Sequence, residues 1–534
     1  MGRTLFPLPD GFEPSRDARR KLSRSLLAKA YCTSMKGYLQ RRAKEIVQAG
    51  HRIVGFSCSQ NSQFYTALYV AMEVLRRSST PPLIVFGGGL FDAGNVARFA
   101  SAFPMIGSFV ARDGVDVLLS AVRGNPHIDQ LPRSVIGPPP RTSMGWSSVM
   151  RRATNLPKLL LRHRGYYQLV VSASRGCSWA KCKFCCHAVR ERHTYLDPSE
   201  LATELKWLNK RYGITGIVFG DLEMNPSLGR VHELTDALRH LPRSMKLWGL
   251  INSRCIGTEV FRRFRDAHFT HLQCGIEAFS QAILDRMRKG TTVLNNIMTM
   301  RLAHEFDLEW FFAPLLEGFS GETAKDVRDT LYVVRRIPHL LRAPVEAEVV
   351  CCIRHRGAWL GSKLTADEPE LGSSRWFDPD EIAIESPNAE LWSIVREELE
   401  SARKASAFLL AKSYPDMTRI VDGRSSKVQV HDFRGTAKQI VDAILESPQP
   451  DRAIEQIANT DYVSVLRRLN RLWFILSCSG FHLCVAVRTT DLGAWEYSVP
   501  DENSRRKLSR RLAISGVGVG GNNRKHPCVP SRLP

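Results

Sequence analysis

The chain has 534 residues and 43% apolar content, enough for several globular domains, which excludes a wholly disordered protein. Lysine and arginine (75) exceed aspartate and glutamate (53), and this surplus favours acidic partners such as nucleic acid, anionic membrane surfaces or acidic peptides. The 13 cysteines lack the spacing of a disulfide framework and no apolar signal segment is seen, so we expect a reducing, cytoplasmic location. No stretch approaches the roughly 20 apolar residues of a membrane helix, and we expect no membrane span.

Short apolar runs alternate with helical stretches from Ile53 onward, in the order IVGFSC, TALYVAMEVLRR, PPLIVFGGG, NVARFASAF and GSFVARDG. This alternation predicts a parallel sheet covered by helices, in a first domain over residues 1–125 that begins irregularly. Gly87, Gly88 and Gly89 directly follow the second predicted strand. A glycine run there either closes a turn or lets the backbone approach a ligand.

Residues 126–164 are rich in proline and arginine and predict a linker. The alternation resumes over 165–370 at YYQLVVSAS and continues through GITGIVFGD, SMKLWGLIN, FTHLQCGIE and LEWFFAPLLEGF. Repeated strand–helix units predict a full or partial barrel, whose chemistry lies at the C-terminal ends of its strands. Residues 371–500 change to helices, among them NAELWSIVREELESARKASAFLLAK, and a hairpin-like SGFHLCVAVR, and predict a smaller third unit before a basic tail at 501–534 that we expect to be disordered.

Three cysteines, Cys177, Cys182 and Cys185, lie within SRGCSWAKCKFCCHAVRERH, directly after a predicted strand. Thiolates suit zinc and iron–sulfur clusters. A zinc site would take a fourth ligand from Cys186 or His187. Three thiolates would instead leave one iron of a four-iron cluster open to the amino and carboxylate groups of S-adenosylmethionine (SAM). Cys186 also stands as an alternative third cluster ligand.

The cysteine segment, with Phe184 beside its last cysteine, resembles the cluster motif of the radical SAM superfamily, although four residues instead of the commoner three separate Cys177 from Cys182. The resemblance implies that Cys177, Cys182 and Cys185 are the catalytic ligands of a 4Fe–4S cluster. It further implies that SAM is cleaved to methionine and a deoxyadenosyl radical, with an electron donor such as flavodoxin or ferredoxin as a partner.

Further segments resemble the same superfamily in chain order: GDLEMNPS, LQCGIEAFSQAILDRMRKGTT and FFAPLLEGFSGET, the last with Ser320 in place of a proline. The first lies where the family contacts the amino group of SAM, although a solvated strand-end loop is an equal alternative. The second resembles the fifth-strand segment, whose acidic residue would face the ribose and methionine part. The implied cofactor-binding residues are Asp221, Glu223, Asn225, Glu277 and Ser280.

The segments IVGFSCS, LIVFGGG and VARDGVD resemble the cobalamin-binding domain of one large branch of this superfamily. No Asp-x-His-x-x-Gly motif is present, so this motif supplies no lower cobalt ligand, and His51 is the alternative candidate for that position. Within the branch the chain most resembles proteins that mature ribosomally made peptides (RiPPs), including C-methyltransferases. The resemblance implies an α/β protein with a Rossmann-like cobalamin-binding-type domain, a (β/α)6 partial TIM barrel and a small α+β C-terminal domain.

The implied activity is C-methylation, through cobalamin, of an unactivated carbon of a precursor peptide, whose acidic leader the basic surplus would attract. One alternative keeps the radical chemistry but acts on tRNA or a small molecule. Another is a non-enzymatic, zinc-dependent nucleic-acid-binding protein, so nucleic acid is not excluded as a partner. The C-terminal helices and hairpin resemble a winged helix, which would either grip the peptide or pack onto the barrel.

Overall fold

The computed structural model describes these residues: 26–58, 61–88, 90–91, 96–111, 114, 117–118, 132, 134–136, 168–185, 193–355, 381–383, 386–458 and 462–492. They fall into two compact units, the first ending at residue 136 and the second beginning at residue 168. Within these ranges, no helix combines the length and the apolar content needed to cross a membrane.

The first unit is a parallel sheet with helices, as predicted. Its elements are α1 (Leu26–Gln48), β1 (Ile53–Ser57), α2 (Asn61–Arg77), β2 (Leu83–Gly87), α3 (Val96–Ala102), β3 (Ser108–Ala111) and β4 (Ser134–Ile136). The four strands pair in parallel and in chain order. Strand β4 lies inside the range 126–164 that the sequence predicts to be a linker, so the first sheet extends beyond residue 125.

A cluster of phenylalanine rings forms the core of the first unit. Phe64 on α2 meets Phe86, Phe99 and Phe103 edge-on, with ring centroids 5.3 to 5.5 Å apart. This packing joins helices α2 and α3 to strand β2 of the sheet. The described strands β1 to β4 lie in chain order, without the reversal of strand order that marks the ligand crevice of a doubly wound sheet, and the Rossmann-like character of this unit stays a prediction.

The second unit begins with a six-stranded parallel sheet. Its elements are β5 (Gln168–Val171), β6 (Ser174–Arg175), β7 (Thr194–Tyr195), α4 (Pro198–Tyr212), β8 (Gly216–Phe219), α5 (Leu228–Leu238), β9 (Lys246–Ile251), α6 (Thr258–Asp266), β10 (Phe269–Cys274), α7 (Gln281–Met287), α8 (Val293–Glu305), β11 (Trp310–Glu317), α9 (Ala324–Arg336) and β12 (Val345–Cys351). The sheet order is β5-β8-β9-β10-β11-β12. This is the predicted partial barrel, left open between its edge strands β5 and β12.

Alternating side chains give this sheet two different faces. In β9, Leu247 and Ile251 are buried in the core shared with the helices, whereas Trp248 and Leu250 are half-buried on the opposite, inner face. Because all six strands run in parallel, their C-terminal ends meet at one edge of the sheet. The loops that follow β5, β8, β9 and β10 therefore converge there.

The remaining elements are β13 (Ile353–His355), β14 (Glu381–Ala383), α10 (Ala389–Lys404), β15 (Leu409–Ser413), β16 (Met417–Asp422), β17 (Gln429–Arg434), α11 (Gly435–Glu446), β18 (Gln449–Pro450), α12 (Asp451–Ala458), α13 (Tyr462–Arg471), β19 (Ile475–Cys478), β20 (Phe481–Cys484) and β21 (Val487–Arg488). One sheet has the order β17-β16-β15-β21, and a smaller one the order β18-β20-β19. The sequence predicts a helix through AFLLAK, which is wrong, because α10 ends at Lys404 and these apolar residues form β15.

Elements α11 to β20 have the order and the three-stranded antiparallel sheet of a winged helix. Arg301 on α8, fully buried at 0% exposure, attaches this region to the barrel. Its guanidinium donates to the carbonyl of Cys484 at 2.6 Å and to that of Leu445, and it pairs with Glu305 at 3.2 Å. Of the two predicted roles, gripping the peptide or packing onto the barrel, the structure shows the packing. Helix α13 keeps an exposed face.

Replacement of Arg301 tests this attachment. Arg301→Ala removes the donor from two buried carbonyl groups and weakens the pairing of Glu305, so we expect it to lower the free energy of unfolding by about 3–5 kcal/mol. Arg335→Ala, which removes a half-exposed ion pair with Glu398, serves as the control and should cost less than about 1 kcal/mol. Urea unfolding followed by tryptophan fluorescence measures both; equal effects would contradict the role of Arg301.

Candidate functional site

The three predicted ligands lie together in the loop after β5. Cys177, Cys182 and Cys185 are free, half-buried thiols, and the backbone N–H of Cys185 donates to the carbonyl of Cys182 at 3.3 Å. Burial raises the pKa of Cys182 to about 11, and the neighbouring Cys185 and Cys177 thiols add to this rise. Burial also raises the pKa of Cys177. The Cys177 and Cys182 thiols thus stay protonated until a metal displaces the protons.

Within the described ranges, no three His, Cys, Asp or Glu side chains converge tightly enough to hold a single metal ion. A four-iron cluster is larger than one ion, and its cysteine ligands lie further apart accordingly. Cys186 and His187, the alternative ligands, lie outside the described residues. The donor set of three neighbouring thiols fits an iron–sulfur cluster with one open iron.

Glu223, in the loop after β8, ties the cysteine loop to the next strand end. Its carboxylate is 2% exposed and accepts the backbone N–H of Ser178, the residue directly after Cys177. The same carboxylate accepts from the Asn252 amide and from the Arg254 guanidinium, both at 2.7 Å, in the loop after β9. The buried carboxylate of Glu223 therefore joins the loop after β8 to the loops after β5 and β9.

Asp221 and Asn225 brace the same loops. The carboxylate of Asp221 accepts from the backbone N–H of Ala173 at 2.9 Å and from the Ser174 hydroxyl at 2.5 Å. The Asn225 amide donates to the carbonyls of Asn252 and Cys255 at 2.7 and 2.6 Å, and its oxygen accepts from the Asn252 N–H. None of these side chains lies in a solvated loop, because each is buried and bonded to a neighbouring loop. Contact with SAM stays a prediction for them.

Glu277 lies at the end of β10 with a left-handed backbone, φ 62°. Its N–H donates to the carbonyl of Pro314, and its own carbonyl accepts from Leu316, both on β11. Its carboxylate accepts from the ammonium of Lys289 at 2.6 Å. This ammonium also lies 5.5 Å from the ring of Phe184 and interacts electrostatically with Cys182, so the ion pair borders the cysteine loop.

Ser280 is buried, and its hydroxyl donates to Asp326 at 2.8 Å. Ser320, where the family pattern has proline, is exposed. In the same loop Glu322 accepts from the indole N–H of Trp392 at 3.0 Å and the hydroxyl of Ser386 at 2.6 Å, which joins the loop to the region around α10. The roles of Ser280 and Ser320 toward SAM stay predictions.

The glycine run of the first unit makes a close backbone contact. Gly88 has φ 104°, and a Cβ atom there would lie 2.5 Å from the carbonyl oxygen of Cys58. The Cys58 N–H donates to the carbonyl of Gly87 at 2.7 Å. Gly88 is thus required by the turn itself, Gly89 lies outside the described residues, and His51 is exposed at the start of β1.

Residues 171–331 match the radical SAM superfamily. The chain contains a radical SAM domain. A curated relative, the anaerobic magnesium-protoporphyrin IX monomethyl ester cyclase of Cereibacter sphaeroides, is 29% identical over 168 residues, or 30% of this chain and 27% of the relative. The enzyme of the same name from Rubrivivax gelatinosus is 28% identical over 170 residues, or 30% of this chain and 29% of that one. The match thus spans little more than a quarter of each relative.

Two solved structures have a similar fold. The radical SAM methyltransferase TsrM from Kitasatospora setae is 15% identical, with a TM-score of 0.52 over 69% of this chain and 81% of that one. The cobalamin-dependent SAM radical enzyme OxsB is 13% identical, with a TM-score of 0.51 over 89% of this chain and 68% of that one. At these identities the likeness shows the fold alone. The cofactors of a radical SAM domain are a 4Fe–4S cluster and SAM, and the three thiols described above fit the cluster.

Sequence reasoning missed several residues that hold this site. Trp179 lies inside the cysteine loop, and Arg254 and Lys289 contact or border it, yet none of the three carries a signal of its own in the sequence. Lys289 stood within the quoted family segment, which was the only available clue to it. Their roles follow from contacts between loops far apart along the chain.

The pH dependence of stability tests the burial of Asp221. Burial raises the pKa of Asp221 to about 6 against its hydrogen bonds from Ser174 and Ala173. A carboxyl with a raised folded-state pKa stabilises the fold below its unfolded pKa and loses this contribution as pH rises, here between about pH 4 and pH 6. The cluster-free chain should lose about 2–3 kcal/mol over this range relative to Asp221→Asn. Thermal unfolding measured at several pH values checks this. Unfolding midpoints that change equally with pH in the two proteins would contradict it.

Proposed function

We propose that the protein is a radical SAM enzyme that C-methylates an unactivated carbon of a ribosomally made peptide, with cobalamin as the methyl carrier. The observation that carries the radical chemistry is the loop of Cys177, Cys182 and Cys185, held at the C-terminal edge of a six-stranded parallel sheet by side chains from neighbouring strand ends. When bound, the cluster supplies the electron that divides SAM into methionine and a deoxyadenosyl radical. An electron donor such as flavodoxin or ferredoxin would be the partner that supplies this electron.

The chain's own residues hold the cysteine loop in place and set the charge beside it. The three cysteines provide the thiolates, and Glu223 fixes the backbone directly after Cys177 through the Ser178 N–H. The ammonium of Lys289, which donates to Glu277, borders Cys182 and lowers the pKa of that thiol against the effect of burial. Fixed dipoles and charges of this kind favour ligand geometry without rearrangement during the reaction.

The inner face of the open sheet supports a substrate with an apolar group. Trp310 and Phe312 stack with ring centroids 5.6 Å apart, and Trp248 meets Trp310 edge-on at 5.0 Å. These side chains are half-buried, and the Trp310 N–H is bonded to Glu346 at 2.7 Å. These rings lie toward the N-terminal ends of β9 and β11, away from the edge that carries the cysteine loop, and a face lined by them is suited to an apolar group of a substrate that extends into the barrel.

The methylation part of the proposal draws support from two sources. The first unit has the parallel sheet expected of a cobalamin-binding-type domain. The fold is similar to those of TsrM, described as a methyltransferase, and OxsB, described as cobalamin-dependent. Methyl transfer through cobalamin would explain why a radical SAM domain follows such a unit in one chain.

Cys177→Ala tests the radical chemistry. The anaerobically reconstituted wild-type chain, with dithionite and SAM, should bind about four irons and release deoxyadenosine. The variant should lose both, because the cluster would lack one of its three protein ligands. Cys351→Ala removes an exposed cysteine at the end of β12 and is the matched control. Deoxyadenosine from the Cys177→Ala variant, or zinc without iron in the wild type, would contradict the assignment.

A second candidate, action on tRNA, is favoured by one feature of the winged helix. Helix α13 exposes Arg467, Arg468 and Arg471 and contains no acidic residue. Arginines on the corresponding helix of DNA-binding motifs contact phosphates or base edges. The tRNA reading keeps the radical chemistry and changes only the substrate.

Binding measurements at several salt concentrations separate these substrates. If tRNA is the substrate, the Arg467→Glu/Arg471→Glu variant should bind it more weakly and with a salt slope reduced by about one per arginine. Arg243→Glu, at an exposed arginine outside the winged helix, is the control. Absence of salt-dependent tRNA binding by the wild-type chain, together with a peptide product heavier by one methylene unit, favours the peptide.

A further inference from the structure

The cysteine loop contains a tryptophan with an unusual set of partners. Trp179 lies in the four-residue gap between Cys177 and Cys182, the gap that is wider than the commonest family spacing. Its indole N–H donates to the carbonyl of Arg288, 109 residues away, at 2.7 Å. Ala180, the next residue, has φ 46°, a left-handed conformation that alanine rarely adopts. The loop therefore bends sharply where the indole leaves it.

The ring of Trp179 lies directly against Gly290, in the turn between α7 and α8. A Cβ atom on Gly290 would be 2.3 Å from Cζ2 of the indole, far inside van der Waals contact. Gly290 also has φ 71°. Glycine is thus needed here for two separate reasons, the backbone conformation and the space that the ring occupies.

Two further contacts hold the cysteine loop, one to the loop after β9 and one to the end of α7. The guanidinium of Arg254 lies 4.7 Å from the centre of the Trp179 ring and pairs with Glu223 at 2.7 Å. The N–H of Lys183 donates to the carbonyl of Met287 at 2.9 Å. The turn after α7 therefore contacts the loop on both sides of Cys182, through Trp179 before it and Lys183 after it.

We infer that Trp179 is a positioning residue, which locks the wide cysteine gap against Gly290 and thereby sets the place of Cys177 and Cys182. The additional residue between Cys177 and Cys182 gives the loop room for Trp179, whose side chain reaches the turn between α7 and α8. The lock is a property of the chain's own packing and exists before a cluster is loaded. Its consequence for cluster retention rests on the proposed function.

A double-mutant cycle on the cluster-free full chain tests the lock by thermal unfolding. Trp179→Ala and Gly290→Ala should each lower the unfolding midpoint. In the Trp179→Ala background, Gly290→Ala should cost less than half as much, because only the left-handed backbone penalty remains. Trp473→Ala, which removes a tryptophan that is 45% exposed in the winged helix, should leave the cost of Gly290→Ala unchanged. Additive effects of Trp179→Ala and Gly290→Ala would overturn the inference.

Loss of iron to a chelator from the anaerobically loaded chain measures the consequence. Trp179→Ala should lose iron about tenfold faster than the wild type, as is typical when a residue supporting metal ligands is removed. Its reduced cluster should also show an altered electron paramagnetic resonance spectrum. Trp179→Phe keeps an aromatic ring but removes the indole N–H and the outer ring whose Cζ2 faces Gly290, so it should lose iron more slowly than Trp179→Ala and faster than the wild type, whereas Trp473→Ala should match the wild type. Wild-type iron loss and spectrum in Trp179→Ala would overturn the positioning role.

The two sets of measurements separate this inference from the proposed function. A wild-type chain that binds no iron but shows the coupled midpoints would refute the proposed function and leave the lock in place. A wild-type chain that binds iron and releases deoxyadenosine, with additive midpoints, would refute the lock alone.

Discussion

The cysteine loop depends on one buried carboxylate, that of Glu223. This group accepts the N–H of Ser178 beside Cys177 and, at the same time, the donors of Asn252 and Arg254. A buried carboxylate is tolerated only when its partners are in place, and removing one partner of such a pair typically costs about 3–5 kcal/mol. The loops after β5, β8 and β9 are consequently ordered together, so the thiols have a defined position before any iron arrives.

Backbone strain is concentrated around the same place. Ala180, Glu277 and Arg288 are non-glycine residues with left-handed backbones, at φ 46°, 62° and 53°, and all lie in or beside the cysteine loop. Conformations of this kind cost energy and persist only where surrounding contacts impose them. Here those contacts are the Glu277–Lys289 pair, the β11 hydrogen bonds of Glu277 and the bond from Trp179 to Arg288. The packing of the barrel edge thus maintains a geometry that the isolated loop would not adopt.

Local sequence pattern predicted the strands that build the site but not the contacts that hold it. Runs such as GIVF and KLWGLI are bounded by turn residues and became β8 and β9, because burial and β propensity agree there. The AFLLAK stretch was misassigned to a helix because its apolar residues continue the preceding helical period, and only pairing with β16 makes it a strand. The contact of Trp179 with Gly290 joins residues more than 100 positions apart, and a single sequence carries no periodic signal for such a pair.

Two surfaces of the second unit bear on the choice of substrate, and they differ in chemistry. The inner face of the barrel presents the aromatic rings of Trp248, Trp310 and Phe312, whereas α13 presents exposed arginines. A substrate that uses both surfaces must combine an apolar group with negative charge. A peptide with an apolar core and an acidic leader has both properties on one flexible chain, and tRNA has them too, because its unpaired bases stack on aromatic rings and its phosphates are negatively charged. The two substrates differ in charge density: tRNA carries a phosphate at every nucleotide, so binding through the arginines of α13 would depend more steeply on salt for tRNA than for a peptide.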